Sequence, residues 1–257
     1  MRILLTNDDG IHAPGIKLLA RELAKWGEVI VVAPEREQSA IGHAITMHHP
    51  LRSKRIDFHG TGLEAWWVSG TPADCVKLAN DFILKELPDI VVSGMNRGEN
   101  LGKDVFYSGT VSAAIEGAFY GIRSFAVSYE DLDMKNGEAA AEEASNLIQK
   151  VAAWSEFPKG VVVNINIPKI KNNAGRTMFE ITELGEKRYK NNFEERTDPR
   201  GNNYYWLVGE VDHDTYAAPG TDVFAMRNGK ISVTPININF YNEILVGKLA
   251  EALKSKE

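Results

Sequence analysis

The chain has 257 residues, 44% of them hydrophobic and 25% charged, and its formal net charge is -6. This composition is that of an ordinary globular protein with one sizeable core. The negative charge argues against binding to nucleic acid or to an anionic membrane through a basic surface. It leaves room for a small phosphorylated ligand at a local site. Because Cys75 is the single cysteine, an intramolecular disulfide and a cysteine-based zinc cluster are excluded.

The sequence contains no apolar run near the ~20 residues that a membrane-spanning helix requires. The first apolar stretch covers only residues 3–5, which is too short for the core of a signal peptide. We therefore expect a cytoplasmic protein that has neither a membrane nor a nucleic-acid polymer as its partner.

Short apolar runs typical of buried strands alternate with longer amphipathic runs typical of helices. Strands are predicted at residues 3–5, 29–32, 90–92, 124–128 and 161–165, and helices at 16–26, 71–87, 110–120 and 138–154. The strand runs are continuously apolar, which is characteristic of parallel strands covered on both faces. This order predicts an α/β fold with a mainly parallel sheet between two layers of helices.

The alternation of apolar strand runs with amphipathic helix runs ends at about residue 176. Residues 178–184 alternate apolar and polar side chains, residues 198–201 read Asp-Pro-Arg-Gly and predict a turn, and residues 243–254 form an amphipathic helix. We expect a single domain whose core covers about residues 1–185. Residues 186–257 would then form hairpins and a C-terminal arm.

Polar or glycine-rich segments follow three of the predicted strands. They are residues 6–10, residues 35–43, and residues 93–102 with their continuation to 110. Ligands of open parallel sheets bind beyond the carboxyl ends of the strands, so these segments are expected to form one site. Two of the six histidines, His12 and His43, also lie in this part of the sequence.

Asp8 and Asp9 are adjacent carboxylates at a strand end, where each raises the pKa of the other. A hard divalent cation relieves this repulsion, and oxygen ligands suit Mg²⁺ or Mn²⁺. The simpler interpretation is a solvated turn, which Asp and Gly also favour. The other two segments meet the same edge of the sheet, and this favours the metal site.

Ser108, Gly109 and Thr110 directly precede or begin a predicted helix. Hydroxyls and backbone N–H groups at a helix start, with a glycine that permits close approach, can bind a phosphate. An ordinary N-cap is the alternative for either hydroxyl. Other nucleotide and hydrolase motifs fail, because the sequence has no G-x-G-x-x-G after the first strand, no Walker loop and no G-x-S-x-G.

Several segments resemble the SurE survival-protein nucleotidases, in the right order from the first residue almost to the last. They are residues 3–10, 12–15, 32–34, 70–76, 92–102, 104–111, 198–201, 219–222 and 232–235. The resemblance implies a Rossmann-like three-layer α/β/α sandwich. It also implies a homodimer formed by exchange of the C-terminal arm, with further assembly into tetramers in some members.

The resemblance further implies a metal-dependent phosphatase acting on nucleoside 5′- and 3′-monophosphates. One Mg²⁺ or Mn²⁺ per subunit would be held by Asp8, Asp9, Ser39 and Asn96. The phosphate would be bound by Gly42, Asn100, Ser108, Gly109 and Thr110. Residues 40–44 depart from the Ser/Gly/Asn-rich segment of some members, so substrate contacts there are expected to differ.

Asp8 or Asp9 is our candidate for orienting or deprotonating the attacking water, and an aspartyl-phosphate intermediate is the alternative mechanism. Two other functions stay open at this point. One is a non-catalytic nucleotide-binding module, and the other is a phosphatase acting mainly on polyphosphate or sugar phosphates.

Overall fold

The computed structural model describes residues 1–170, 177–190, 193–212, 216–239 and 243–254. Its strands are β1 Arg2–Thr6, β2 Glu28–Pro34, β3 Ser53–Asp57, β4 Glu64–Val68, β5 Ile90–Arg97, β6 Arg123–Tyr129, β7 Val161–Ile167, β8 Phe179–Ile181, β9 Tyr189–Lys190, β10 Phe193–Thr197, β11 Asn203–Leu207, β12 Glu210–Val211 and β13 Ile231–Asn237. Its α-helices are α1 Pro14–Leu23, α2 Pro72–Leu78, α3 Gly109–Phe119, α4 Gly137–Ala152, α5 Asp222–Arg227 and α6 Glu243–Lys254.

Nine of these strands form one sheet in the order β3-β4-β2-β1-β5-β6-β7-β13-β8. The six from β4 to β7 are mutually parallel, while β3 pairs antiparallel with β4 at one edge. Near the other edge β13 pairs antiparallel with β7 and parallel with β8. The predicted mainly parallel sheet is therefore confirmed.

Helices cover both faces of the sheet. On one face α1 packs against α4, and on the other α2 packs against α3. The apolar side of α1 explains this placement, because Ile16, Leu19 and Leu23 recur at helical spacing and are buried against the sheet. The three-layer α/β/α sandwich is thus observed. No helix in the described ranges is long and apolar enough to cross a membrane.

Three elements between β2 and β5 differ from the sequence-based expectation. The predicted helix that would end before Pro88 ends earlier, since α2 stops at Leu78 and one π-helical turn follows at Ala79–Ile83. β3 was not predicted, because Lys54 and Arg55 make it a polar edge strand rather than an apolar one. Its neighbour β4 was not predicted either.

The core also extends past the expected boundary near residue 185, because β13 lies inside the main sheet. Pro235 obscures this strand in the sequence, since proline removes a backbone donor. It is tolerated because β8 pairs only with Ile231–Val233, so at Pro235 the strand pairs with β7 alone.

Asp222, the first residue of α5, joins two loops on which the site depends. Its buried carboxylate accepts hydrogen bonds from the backbone N–H groups of Gly102 at 2.8 Å, Gly185 at 2.7 Å and Val223 at 2.8 Å. Each of these N–H groups would be costly to bury without a partner. Asp222 therefore connects the segment after β5 to the segment after β8.

We expect Asp222→Asn to lower the free energy of unfolding by about 2 kcal/mol, because the amide NH₂ faces N–H donors and leaves one unpaired. Urea unfolding followed by circular dichroism measures the change. Asp133→Asn is the matched control, since this carboxylate is 72% exposed and forms an exposed pair with Lys135. Equal effects of the two substitutions would contradict the role given to Asp222.

Candidate active site

The sheet order brings the three polar segments together. β1 lies between β2 and β5, so the residues that follow these three strands meet at one edge of the sheet. Asp8 and Asp9 follow β1, Ser39 follows β2, and Asn96 is near the end of β5. The start of α3 completes this edge.

Asp8 contacts the first turn of α3 directly. The Thr110 hydroxyl donates a hydrogen bond to Asp8 Oδ1, and Asp8 is only 5% exposed. A Cβ atom at Gly109 would lie 2.8 Å from Asp8 Cβ and 3.0 Å from its Oδ2. Glycine is therefore required at the first position of α3 to let this carboxylate reach the helix start.

Asp9 faces the segment after β5 instead. Its Oδ2 accepts a hydrogen bond from the backbone N–H of Arg97 at 3.1 Å, and its Oδ1 lies 3.6 Å from Arg97 Nε. The guanidinium of Arg97 is also 3.8 Å from Glu37. Sequence reasoning missed Arg97, at the end of β5, and Glu37, in the loop after β2, because isolated charged residues carry no periodic signal.

Burial dominates the electrostatics of the aspartate pair. It raises the pKa of Asp8 to about 6, with a further contribution from Asp9, although the Thr110 hydrogen bond opposes it. Burial also raises the pKa of Asp9, even though Arg97 lies beside that carboxylate. Two buried neighbouring carboxylates with raised pKa values are stabilised as anions by a cation.

The remaining donors suit a hard cation. Asn96 Nδ2 donates to the carbonyl of Gly98 at 2.8 Å, so its Oδ1 is the atom left as a ligand. Ser39 Oγ donates to Glu37 at 2.6 Å and keeps its lone pairs. Within the described ranges no group of three or more His, Cys, Asp and Glu side chains could hold a metal. A set of carboxylate, hydroxyl and amide oxygens fits Mg²⁺ or Mn²⁺.

Ser108 and Gly42 lie near the same helix start. Ser108 is the N-cap of α3, and its Oγ accepts a hydrogen bond from Val111 N at 3.1 Å. This hydroxyl therefore caps the helix, and its expected contact with phosphate stays a prediction. Gly42 N donates to the carbonyl of Tyr107 at 2.9 Å, which places the segment after β2 against α3.

Asn100 is held by side chains of β6 and β7 rather than by the aspartates. Its Nδ2 donates to Ser128 Oγ at 2.9 Å, and its backbone N–H donates to Asn166 Oδ1 at 2.8 Å. Its backbone carbonyl accepts from Asn164 Nδ2 at 2.9 Å. Sequence reasoning missed Asn164 and Asn166, although two amides at alternate positions of an apolar parallel strand are a detectable signal.

Comparison with known proteins identifies similar sequences and a similar fold. A family model described as Survival protein SurE matches residues 3–191. The 5′-nucleotidase SurE of Heliobacterium modesticaldum is 49% identical over 255 residues, which cover 98% of this chain and 92% of that protein. The 5′-nucleotidase SurE of Moorella thermoacetica is 49% identical over 253 residues, covering 98% of this chain and 96% of that protein. The crystal structure of the SurE protein from Aquifex aeolicus has a TM-score of 0.84 at 37% identity, covering 99% of this chain and 100% of that chain.

Gly109→Ala is expected to disturb the site without disturbing the fold. The added Cβ would displace the Asp8 carboxylate, and a misplacement of about 1 Å costs on the order of 100-fold in activity. Phosphatase assays measure the loss, and thermal unfolding checks the fold.

Gly137→Ala is the matched control for this substitution. Gly137 also begins a helix, but there the atom nearest to an added Cβ is the end of the flexible Leu18 side chain, at 2.7 Å, and the next, Met134 Cβ, lies at an ordinary contact distance of 3.6 Å. If both variants keep full activity, Asp8 does not need its position against α3.

Proposed function

This chain belongs to the SurE family, and we propose that it hydrolyses nucleoside monophosphates to nucleoside and phosphate with the help of one divalent metal ion. The relatives named above are called 5′-nucleotidases, and the site described here has the groups that such a reaction needs. The cytoplasmic location expected from the sequence stays a prediction.

One observation carries the proposal. The Thr110 hydroxyl, an expected phosphate ligand, donates a hydrogen bond to Asp8, an expected metal ligand. The two halves of the site are therefore in contact at the start of α3. A phosphate bound there would lie beside the carboxylate pair, which is the arrangement that metal-assisted phosphoryl transfer requires.

Asp8, Asp9, Ser39 and Asn96 would hold the metal ion. When bound, Mg²⁺ or Mn²⁺ supplies positive charge to the phosphate and activates water for attack. The four side chains supply only oxygen ligands, which these ions prefer.

The chain's own groups would bind and orient the substrate. Backbone N–H groups in the first turn of α3 have no carbonyl partner within the helix, so they can bind phosphate oxygens. Gly109 lets the phosphate approach the backbone, and Gly42 and Asn100 lie on the segments beside it. Asp8 is our candidate for orienting or deprotonating the attacking water, because it is the aspartate that contacts the helix start.

Asp8→Asn and Asp9→Asn are each expected to lower turnover of 5′-AMP by about 100-fold or more, because each removes a charge that the cation and the water require. Phosphate release is measured with Mg²⁺ and with Mn²⁺, on 5′-AMP, 3′-AMP, short polyphosphate and p-nitrophenyl phosphate. Glu28→Gln, at an exposed site in β2, is the control.

The same assay separates the alternatives. Binding of 5′-AMP without turnover in either metal would identify a nucleotide-binding module. Preferred turnover of polyphosphate over 5′-AMP and 3′-AMP would contradict a nucleotide substrate. Trapping of a phosphorylated Asp8 would replace the water mechanism by a covalent one.

We also propose that two copies of the chain form a dimer through their C-terminal regions, with further assembly into tetramers. The β10–β11 hairpin is exposed on both strands, and Tyr205, Trp206 and Leu207 are 59%, 56% and 72% exposed. Apolar side chains Leu245, Leu249 and Leu253 of α6 are also exposed. Exposed apolar side chains grouped on one element in this way are normally covered by a partner.

Light scattering at micromolar concentration is expected to give a mass of at least twice 28.5 kDa. Trp206→Ser combined with Leu207→Ser should shift the protein toward the monomer, because these substitutions remove two exposed apolar side chains of the hairpin. A monomeric unmodified protein would refute the dimer.

A further inference from the structure

Residues 38–46, here called the 38–46 loop, contain no helix or strand. This loop carries Ser39, an expected metal ligand, and Gly42, which lies against α3. Most of its residues are exposed or half-buried. The position of both functional residues therefore depends on a small number of hydrogen bonds that hold the loop.

Three of these contacts come from the site itself or from α3. Gln38 N donates to the backbone carbonyl of Asp8 at 2.7 Å, and Gly42 N donates to that of Tyr107 at 2.9 Å. His43 Nε2 lies 2.8 Å from Glu116 Oε2, a carboxylate of α3 that also pairs with Lys77.

The end of the loop is held by α2, which contributes none of the expected ligands. Thr46 donates to the carboxylate of Asp74 twice, from its backbone N–H at 3.0 Å and from its hydroxyl at 2.6 Å. Asp74 is 3% exposed. The hydroxyl of Thr71 adds a further contact, because it donates to the carbonyl of Ala44 at 2.7 Å.

The same two residues also cap α2. Asp74 N donates to Thr71 Oγ1 at 3.1 Å, and Thr71 N donates to Asp74 Oδ2 at 2.9 Å, which is a capping box. A Cβ at Gly70 would lie 2.6 Å from Asp74 Oδ2, so glycine leaves room for this carboxylate. The capping box accounts for the hydrogen bonds between Thr71 and Asp74. It does not account for the hydrogen bonds that these two residues make to Thr46 and Ala44.

We propose that Asp74 is a positioning residue for the phosphatase reaction, acting through Thr46. By accepting two hydrogen bonds from Thr46 it holds the 38–46 loop so that Ser39 and Gly42 face Asp8 and the start of α3. This inference rests on the proposed function, since it assigns Asp74 a role in the same site.

Thr46→Val tests the inference, because it removes the hydroxyl bond to Asp74 and leaves the capping box intact. We expect KM for 5′-AMP to rise about 5- to 10-fold while kcat falls less than about 2-fold, as for the loss of one hydrogen bond to a charged group. The Kd for Mn²⁺, measured by calorimetry, should rise in parallel, and Tm should fall by only about 2–4 °C. Thr46→Ser keeps the hydroxyl and should restore KM.

Tyr120→Phe is the matched control. Tyr120 also links the α2 and α3 regions through a hydroxyl-to-carboxylate bond, at 2.8 Å to Asp81. It follows the last residue of α3, about 18 Å along the helix from Ser108. This substitution should leave KM and the Mn²⁺ Kd unchanged.

Amide hydrogen exchange of residues 39–45 gives a readout that does not depend on activity. It should be faster in Thr46→Val than in the unmodified protein and in Tyr120→Phe. Unchanged exchange together with unchanged KM would overturn the positioning role. If the unmodified protein has no turnover, the proposed function fails, and the exchange rates decide the positioning role by themselves. Thr46→Ala carries the same test if the valine variant does not fold.

Discussion

The contact between the buried carboxylate of Asp8 and the first turn of α3 is the interaction on which the rest of the site depends. Burial of a carboxylate is costly unless it is hydrogen-bonded or paired with a cation. Here the Thr110 hydroxyl offsets part of the cost, and a neighbouring Asp9 increases it. The fold thus places a carboxylate beside a helix start that favours anions, and in the proposed reaction a divalent cation would let an anionic phosphate bind next to that carboxylate.

Buried aspartates at helix starts hold the loops around this contact. Asp74 in the capping box of α2 binds the loop after β2, and Asp222 at the start of α5 binds the segment after β5. Both accept several N–H or O–H donors, so each fixes more than one piece of backbone. These two aspartates affect the site by positioning its loops and not by binding substrate.

Side chains of the parallel strand β7 hold the segment after β5 in place. Asn164 and Asn166 of β7 bond the backbone of Asn100, so the amide network replaces regular secondary structure in the segment after β5. Such a buried network specifies one arrangement of the loop because each amide needs its partner. The loop can therefore be irregular and still well positioned.

The amino-acid sequence by itself determined the α/β fold, the strands at the centre of the sheet and the region of the site. Continuous apolar runs identify buried parallel strands, and polar residues at their carboxyl ends identify the edge where ligands bind. Asp8, Thr110 and Gly109 could therefore be named together without coordinates. The C-terminal helix 243–254 was also predicted, because its apolar residues recur at helical spacing.

Only the tertiary structure decided which residues support that site and how far the core extends. Several supporting residues act through partners that are distant in sequence, namely Asp74, Asp222, Arg97 and Asn166. Local sequence patterns do not indicate which distant residues will pair. β13 joins the main sheet because it pairs with β7, from which it is separated by more than 60 residues of chain. Pro235 prevents the prediction of this strand from local sequence patterns. Long-range pairing, rather than local propensity, sets these features.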